Sequence, residues 1–312
     1  MTGISLADAP LVSVIVATFN SRATLACALD SVRHQDFLDF DVWVVGDACT
    51  DGSGEVVEAL GDPRFHWLNR ETNSGSQSAP NADGLRHARG KYVAYLGHDD
   101  LWFPWHLSSL VAAIERENAA FVHGIGALLG PDDRLEVTGP PPRGAPYARH
   151  FVPPTNWLHR RELLDRVGGW QSPDRLPRAV DIDVIRRVAA SGAIIGSAPR
   201  LTTIKFPSGW WKLYGWDSSQ PRPQLAMRDE MLRDPAGLEE RLLNAIAIEH
   251  ARTWYPIRAP RPSDSLREAA GYVRRAIATW AHGFDEAPIV APLMRWRYQH
   301  LRRKARRQRG LS

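Results

Sequence analysis

Apolar and polar positions along this chain come in blocks whose lengths and periods name the elements. Residues 12–18 form a continuous run dominated by β-branched residues, the pattern of a strand buried on both faces. Ser21 then stands as an N-cap for a helix from about residue 23, where Leu25, Ala28, Leu29 and Val32 share one face. Residues 40–45 predict a second strand that ends in a polar turn over 46–53, followed by a helix over 55–60. A short strand over 65–68, a helix over 81–89 and a strongly apolar strand over 92–96 complete a β-α-β-α-β-α-β alternation, which argues for a parallel sheet covered by helices.

Beyond it the pattern predicts a helix over 104–117 and strands over 121–129 and 135–138 around the turn Gly130-Pro131-Asp132-Asp133. Residues 139–146 read as a stiff irregular loop, and 163–167 and 180–190 as helices. Trp210, Trp211, Tyr214 and Trp216 share no helical or strand face and read as a loop or crevice lining. A helix opens at Asp234-Pro235, and a capping box at 265–268 starts another.

Composition changes this picture in three places. With 44% apolar and 24% charged residues over 312 positions, the chain is an ordinary globular protein able to bury a sizeable core. The formal charge of +4 is misleading, because residues 295–309 hold eight Arg or Lys and no acid, leaving the remainder at −4. For that tail a solvated segment, an anionic membrane surface contacted through Trp296 and Tyr298, and nucleic acid all fit the composition. Two cysteines supply neither a disulfide framework nor a metal cluster, which points to a reducing, cytoplasmic setting; no apolar run is long enough to span a bilayer, so any membrane contact is expected to be peripheral.

The candidate chemistry lies at strand ends. The strand over 92–96 stops at Gly97-His98 and delivers Asp99 and Asp100 at its carboxyl edge, where ligands gather in open α/β sheets and where hard oxygen donors suit Mg²⁺ or Mn²⁺ on a diphosphate. An Asp capping the next helix is the plainer reading of an isolated pair. A dinucleotide fold would need G-x-G-x-x-G after the first strand, and neither that nor a Walker A loop is present. Asn20 and Asp47 occupy the neighbouring strand ends, and Asp181 and Asp183 the first turn of the helix over 180–190, a place where acids also serve the helix dipole.

The segments VSVIVATFN, VWVVGDACTDGS, NSGSQSAPNADGLRHARGKYVAYLGHDDLW, WLHRRELLDRVGGW and AVDIDVIRRVAASG occur in the order and spacing of glycosyltransferase family 2, and residues 11–205 resemble that family. The resemblance implies a GT-A type α/β fold, a mainly parallel sheet flanked by helices. A nucleotide-sugar half over 11–103 and an acceptor half over 104–220 would make one domain (1–220), followed by a helical appendage (221–294) and the basic tail (295–312). It implies inverting transfer from a nucleoside-diphosphate sugar, a UDP-sugar by preference, to an unidentified glycan, lipid or small-molecule hydroxyl, with no nucleic acid partner.

By the same resemblance Asp181 is the general base and Asp99 and Asp100 hold Mg²⁺ or Mn²⁺. Thr18, Asn20, Asp47, Asn81, His98, Asp99 and Lys205 border the donor, and Trp157, Trp210 and Trp211 are candidates for the acceptor side. Three acidic positions of the family pattern are Gly46, Gly97 and Val180 here, and the histidine often found in the region of residues 202–220 is absent, leaving Lys205 nearby. Those losses motivate an alternative, a weakened member that binds nucleotide-sugar or glycan without transfer. A nucleotidyltransferase is disfavoured by the lack of a Gly-rich, basic loop after the first strand.

Overall fold

The computed structural model describes residues 9–141, 147, 150–211, 223–254 and 290–308. Its first half is built as the hydrophobic pattern predicts. Strands β1 (Val12–Thr18), β2 (Phe40–Gly46), β3 (Phe65–Asn69) and β4 (Tyr92–Gly97) alternate with helices α1 (Arg22–Arg33), α2 (Ser53–Glu58) and α3 (Ser78–His87). The strands pair in parallel in the order β3-β2-β1-β4.

The second half adds β5 (Leu101–Trp102), α4 (His106–Arg116), β6 (Phe121–Leu129), β7 (Leu135–Thr138), β8 (Trp157–Arg160), α5 (Arg161–Arg166), α6 (Val180–Ala190) and β9 (Ile195–Lys205). Here the ladders are mixed: β8 joins β4 and β6 antiparallel, β9 runs parallel to β6 and antiparallel to β5, and β7 pairs β6 at the side. One nine-stranded sheet results, with the order β3-β2-β1-β4-β8-β6-β9-β5. The helices that follow are α7 (Ser208–Trp211), α8 (Pro223–Arg233), α9 (Pro235–Trp254) and α10 (Val290–Gln308).

Period-two alternation sorts the strand residues onto two faces. Val12, Val14 and Val16 of β1 with Tyr92, Ala94 and Leu96 of β4 meet α1 and α4 through Leu25, Leu29, Leu107, Leu110 and Ile114. Ile15, Val93 and Tyr95 face the other way, against Trp157, Leu163, Val184, Ile185 and Val188. A third cluster ties Leu101, Phe103, Leu201 and Ile204 to Met231, Leu238 and Leu242, so α8 and α9 dock on the end of the sheet. The helix predicted from the capping box at 265–268 and most of the loop over 139–146 lie outside the described residues.

Gln35, just beyond α1, connects that helix to the chain that leaves β5. Its amide donates to the Ser31 and Phe103 carbonyls at 3.0 and 2.8 Å, and its carbonyl accepts the Leu107 N–H at 3.0 Å. The side chain is 4% exposed. Gln35→Ala is expected to leave the Leu107 amide without its partner and the Phe103 carbonyl with only the His106 N–H, lowering stability by about 1–3 kcal/mol. Urea unfolding checks this against the exposed Arg33→Ala, which should stay within about 0.5 kcal/mol of the parent.

Candidate active site

The register of the parallel strands sets the site. Thr18 lies level with Gly46, and Ala17 with Gly97, so β1, β2 and β4 end together and project their following residues onto one edge. A cleft of about 330 Å³ opens there. Thr18, Asp47, Asn81, His98, Asp99 and Asp100 line it from the first half; Pro153, Pro154, Thr155, Asp181 and Lys205 line it from the second, and Tyr298 reaches it from α10. The Oγ atoms of Thr18 and Thr155 are buried with no hydrogen-bond partner among the described residues.

Asp47 is nearly buried and organises the loop beyond β3. It accepts hydrogen bonds from Arg70 Nη1 at 3.0 Å, from the Ser74 N–H at 2.9 Å, from the Ser74 hydroxyl at 2.9 Å and from the Gly75 N–H at 3.2 Å. Residues 73, 75, 76 and 77 of that loop line the cleft. Asn20 sits differently from expectation. Its backbone is left-handed at φ 43°, and its Oδ1 accepts the Thr50 N–H at 2.8 Å, so it braces the turn after β2 from outside the cleft lining. His98 lines the cleft with Nδ1 donating to the Ala17 carbonyl at 3.1 Å.

The two adjacent aspartates have different surroundings. Asp100 is fully buried; Lys205 Nζ donates to its Oδ2 at 2.8 Å and the Phe206 N–H to its Oδ1 at 3.0 Å. Burial raises its pKa, and the Lys205 ammonium pulls it back down. Burial alone would lower the Lys205 pKa, but the carboxylates of Asp100, Asp99 and Asp181 outweigh it and hold the ammonium charged. Each Asp100 oxygen thus spends one of its acceptor sites on the fold, which makes Asp100 the more constrained of the two as a metal ligand. Asp99 fits a divalent ion shared with a diphosphate, since its carboxylate lines the cleft and such ions need only one or two protein carboxylates beside phosphate oxygens. Among the described residues no cluster of three His, Cys, Asp or Glu side chains could form an all-protein site.

Asp181 and Asp183 have different surroundings although both sit in the first turn of α6. Asp183 is buried in an ion pair with Arg187 at 2.8 Å and lies near Arg178 at 3.7 Å. Asp181 lines the cleft, and its Oδ1 accepts the Ile182 N–H at 2.9 Å. Burial raises its pKa, with the Ile182 N–H and the Lys205 charge acting against the rise. Tyr298 stands close enough to feel that carboxylate: burial first, then the Asp181 charge, push its phenol up to about 12.

The three tryptophans expected at the acceptor side do not line the cleft. Trp157 is fully buried in the core, donating to the Val152 carbonyl at 2.9 Å. Trp210 lies under the Arg134 guanidinium at 3.5 Å, and Trp211 donates to the Leu129 carbonyl at 2.7 Å, so both pack on the β6–β7 hairpin. Pro153, Pro154, Thr155 and Tyr298 stand in the cleft instead. Nothing in the PPTN text marked the first three, and Tyr298 was hidden among the cations of the tail.

Helix α10 anchors itself across the mouth of the site. Gln299 donates to the Pro173 carbonyl at 2.8 Å, Arg302 pairs with Asp174, and Arg306 donates to the Ser74 carbonyl at 3.1 Å. The tail therefore bridges the loop organised by Asp47 and the turn Pro173–Arg175 that precedes α6.

Comparison with known proteins places this geometry. A UDP-Glc:alpha-D-GlcNAc-diphosphoundecaprenol beta-1,3-glucosyltransferase of Escherichia coli is 28% identical over 117 residues, 38% of this chain and 46% of the relative, so the match spans less than half the relative's length. Over 246 residues, 73% of this chain and 72% of the relative, identity to an uncharacterized glycosyltransferase of Nostoc is 26%. In fold, Staphylococcus aureus TarS residues 1–349 in complex with UDP-GlcNAc superpose with a TM-score of 0.55 at 20% identity, covering 96% of this chain and 88% of that one. The profile described as Glycosyl transferase family 2 matches residues 13–168, half of the sequence, and the chain belongs to that family.

Proposed function

We propose that the protein transfers a sugar from a nucleoside-diphosphate sugar, a UDP-sugar by preference, to an acceptor hydroxyl with inversion. The observation that carries this reading is a single cleft shared by Asp99 and Lys205, suited to a diphosphate, and by Asp181, suited to a base. In that displacement the acceptor oxygen attacks the anomeric carbon while its proton passes to the Asp181 carboxylate. The bond from the anomeric carbon to the diphosphate oxygen breaks, and the diphosphate departs with the electron pair. Lys205 has three donors and spends one on Asp100, so the others can meet diphosphate oxygens. The Asp47-bound loop and Thr18 would border the nucleoside.

Mg²⁺ or Mn²⁺ would be held by Asp99 together with diphosphate oxygens and, when bound, would supply charge to the leaving group. The bound UDP-GlcNAc of the TarS structure supports a nucleotide-sugar donor. The E. coli relative, which is named for a diphosphoundecaprenol-linked acceptor, supports an acceptor presented at a membrane.

At about 100° per residue, α10 turns Tyr298, Gln299, Arg302 and Arg306 to one side and Trp296, Arg297, Leu301, Lys304 and Arg307 to the other. Trp296 and Leu301 are 60% and 54% exposed. That outer face, cationic with two large apolar groups, suits an anionic bilayer. Tyr298, expected beside Trp296 in such an interface, belongs to the cleft. Among the described residues no helix is long and apolar enough to cross a membrane.

Asp181→Asn should keep UDP affinity while transfer falls by about 10²–10⁴. Because a raised carboxyl pKa means that the folded state loses stability as pH rises through it, this variant should melt at or above the parent's temperature at pH 7. In the parent, transfer should fall with acidification along a limb above the ordinary aspartate value, and retained turnover in the variant would remove Asp181 from the mechanism. Asp99→Ala should abolish any Mn²⁺ enhancement of UDP binding by calorimetry at an unchanged melting temperature, whereas Asp100→Ala should cost about 3–5 kcal/mol by leaving Lys205 without its buried partner. Sedimentation with phosphatidylglycerol vesicles should weaken with salt and on Arg297→Glu with Lys304→Glu, each cation near the surface contributing about 1 kcal/mol.

A further inference from the structure

Beside the reaction cleft lies a second cavity of about 500 Å³, lined by Ser74, Asp174, Gln299, Arg302, Arg303 and Arg306. Three guanidinium groups face one carboxylate there. Asp174 is itself 73% exposed, while Arg302 is 13% exposed and its Nε is buried with no hydrogen-bond partner among the described residues. Arg302 thus holds an oriented donor that water does not reach and that Asp174, bound through Nη1, does not satisfy. Arg303 is exposed beside it, its Nε only 3.4 Å from the Gln299 carbonyl of its own helix.

This cavity adjoins the cleft through both of its walls. Ser74 lines the cavity and Gly75 the cleft; Gln299 lines the cavity and Tyr298 the cleft. Along α10, Arg302 follows Tyr298 by about 6 Å of helix rise and Arg306 by about 12 Å. A molecule whose hydroxyl reaches Asp181 beside Tyr298 can therefore reach these arginines with a group one or two sugar rings away.

We propose that this cavity is an acceptor subsite for a phosphate or diphosphate joined to the sugar that presents the attacking hydroxyl. Planar guanidinium groups grip phosphate oxygens in pairs, which a neutral glycan would not exploit. The inference rests on the transferase reading and narrows its acceptor class. A soluble sugar phosphate and a lipid-linked diphosphate would present the same group.

The test is calorimetry on the full chain saturated with UDP, so that the donor diphosphate position is filled, with Mn²⁺ in excess of both anions. Inorganic pyrophosphate should bind this complex, and Arg303→Gln, which removes no anchor of α10, should weaken it about tenfold, as expected for a lost charged hydrogen bond. Arg302→Gln should weaken it at least as much, with UDP affinity unchanged in both. The double variant Arg297→Gln, Lys304→Gln removes charge from the outer face of the same helix and should have no effect; equal weakening would overturn the subsite in favour of a diffuse charge effect. Farnesyl diphosphate in phosphatidylcholine vesicles binding more tightly than pyrophosphate would assign the subsite to a lipid-borne acceptor, and equal affinity to a soluble one. UDP binding without pyrophosphate binding overturns the subsite and leaves the transferase reading standing, whereas failure to bind UDP with or without Mn²⁺ overturns both.

Discussion

The ion pair between Asp100 and Lys205 joins the two halves of the sheet at the point where the cleft opens. Its members are 105 residues apart, one just past β4 and the other the last residue of β9. The direct ladder between the halves is brief, since β4 and β8 exchange only three residue pairs. A buried carboxylate and a cleft-lining ammonium 2.8 Å apart, with the Phe206 N–H also bound to the carboxylate, add a directional tie where that ladder has ended. Such a pair adds little net stability over an apolar substitute, but it strongly penalises any arrangement that separates it. Its contribution here is position: it fixes Asp99, one residue away, and aims the remaining Lys205 donors into the cleft.

The acidic positions missing from the family pattern have a steric explanation at two sites. A Cβ at Gly46 would stand 2.5 Å from Asn69 Oδ1 and 2.6 Å from the Trp67 ring; one at Gly97 would stand 2.5 Å from Asp100 Oδ2. Neighbouring side chains fill the places that further carboxylates would need. Because Asn69 also accepts the Cys49 N–H at 2.9 Å, it supports the turn after β2 in the position that Gly46 leaves open. The departures are thus parts of a packed alternative, and they leave Asp99 and Asp181, the two carboxylates the proposed reaction uses, in the cleft lining.

The parallel half was legible because its signals are local. Apolar runs of four to seven residues, helices of matching period and polar residues at strand ends all belong to contiguous text, and β1 to β4 appear where they are expected. Strands β8 and β9 were not read from their text. Trp157–Arg160 is too short to show a period, and Ile195–Lys205 is interrupted by Pro199 and Arg200 and shifts register against β6. The acceptor tryptophans were misjudged because an indole is as useful to a core as to a sugar, and only burial distinguishes the two; Trp157 has none of its surface exposed. The pairing of Asp100 with Lys205 was not legible because the two lie far apart along the chain, where no spacing rule connects them.

The basic tail shows the same limit in the opposite direction. Composition alone presents eight cations as one patch, yet the helix divides them. Arg302 and Arg306 turn inward to Asp174 and the Ser74 carbonyl, while Arg297, Lys304 and Arg307 remain on the outer side. The division has an electrostatic consequence. At physiological ionic strength a charge is felt over about 8 Å, so the inward arginines act on whatever occupies the cleft mouth while the outward ones act chiefly on whatever the protein approaches. Outside the tail the chain is net acidic, and an anionic substrate would approach against that field without α10. By folding its inner face over the Asp47-organised loop, the tail places positive charge beside a cleft that Asp99 and Asp181 line with carboxylates.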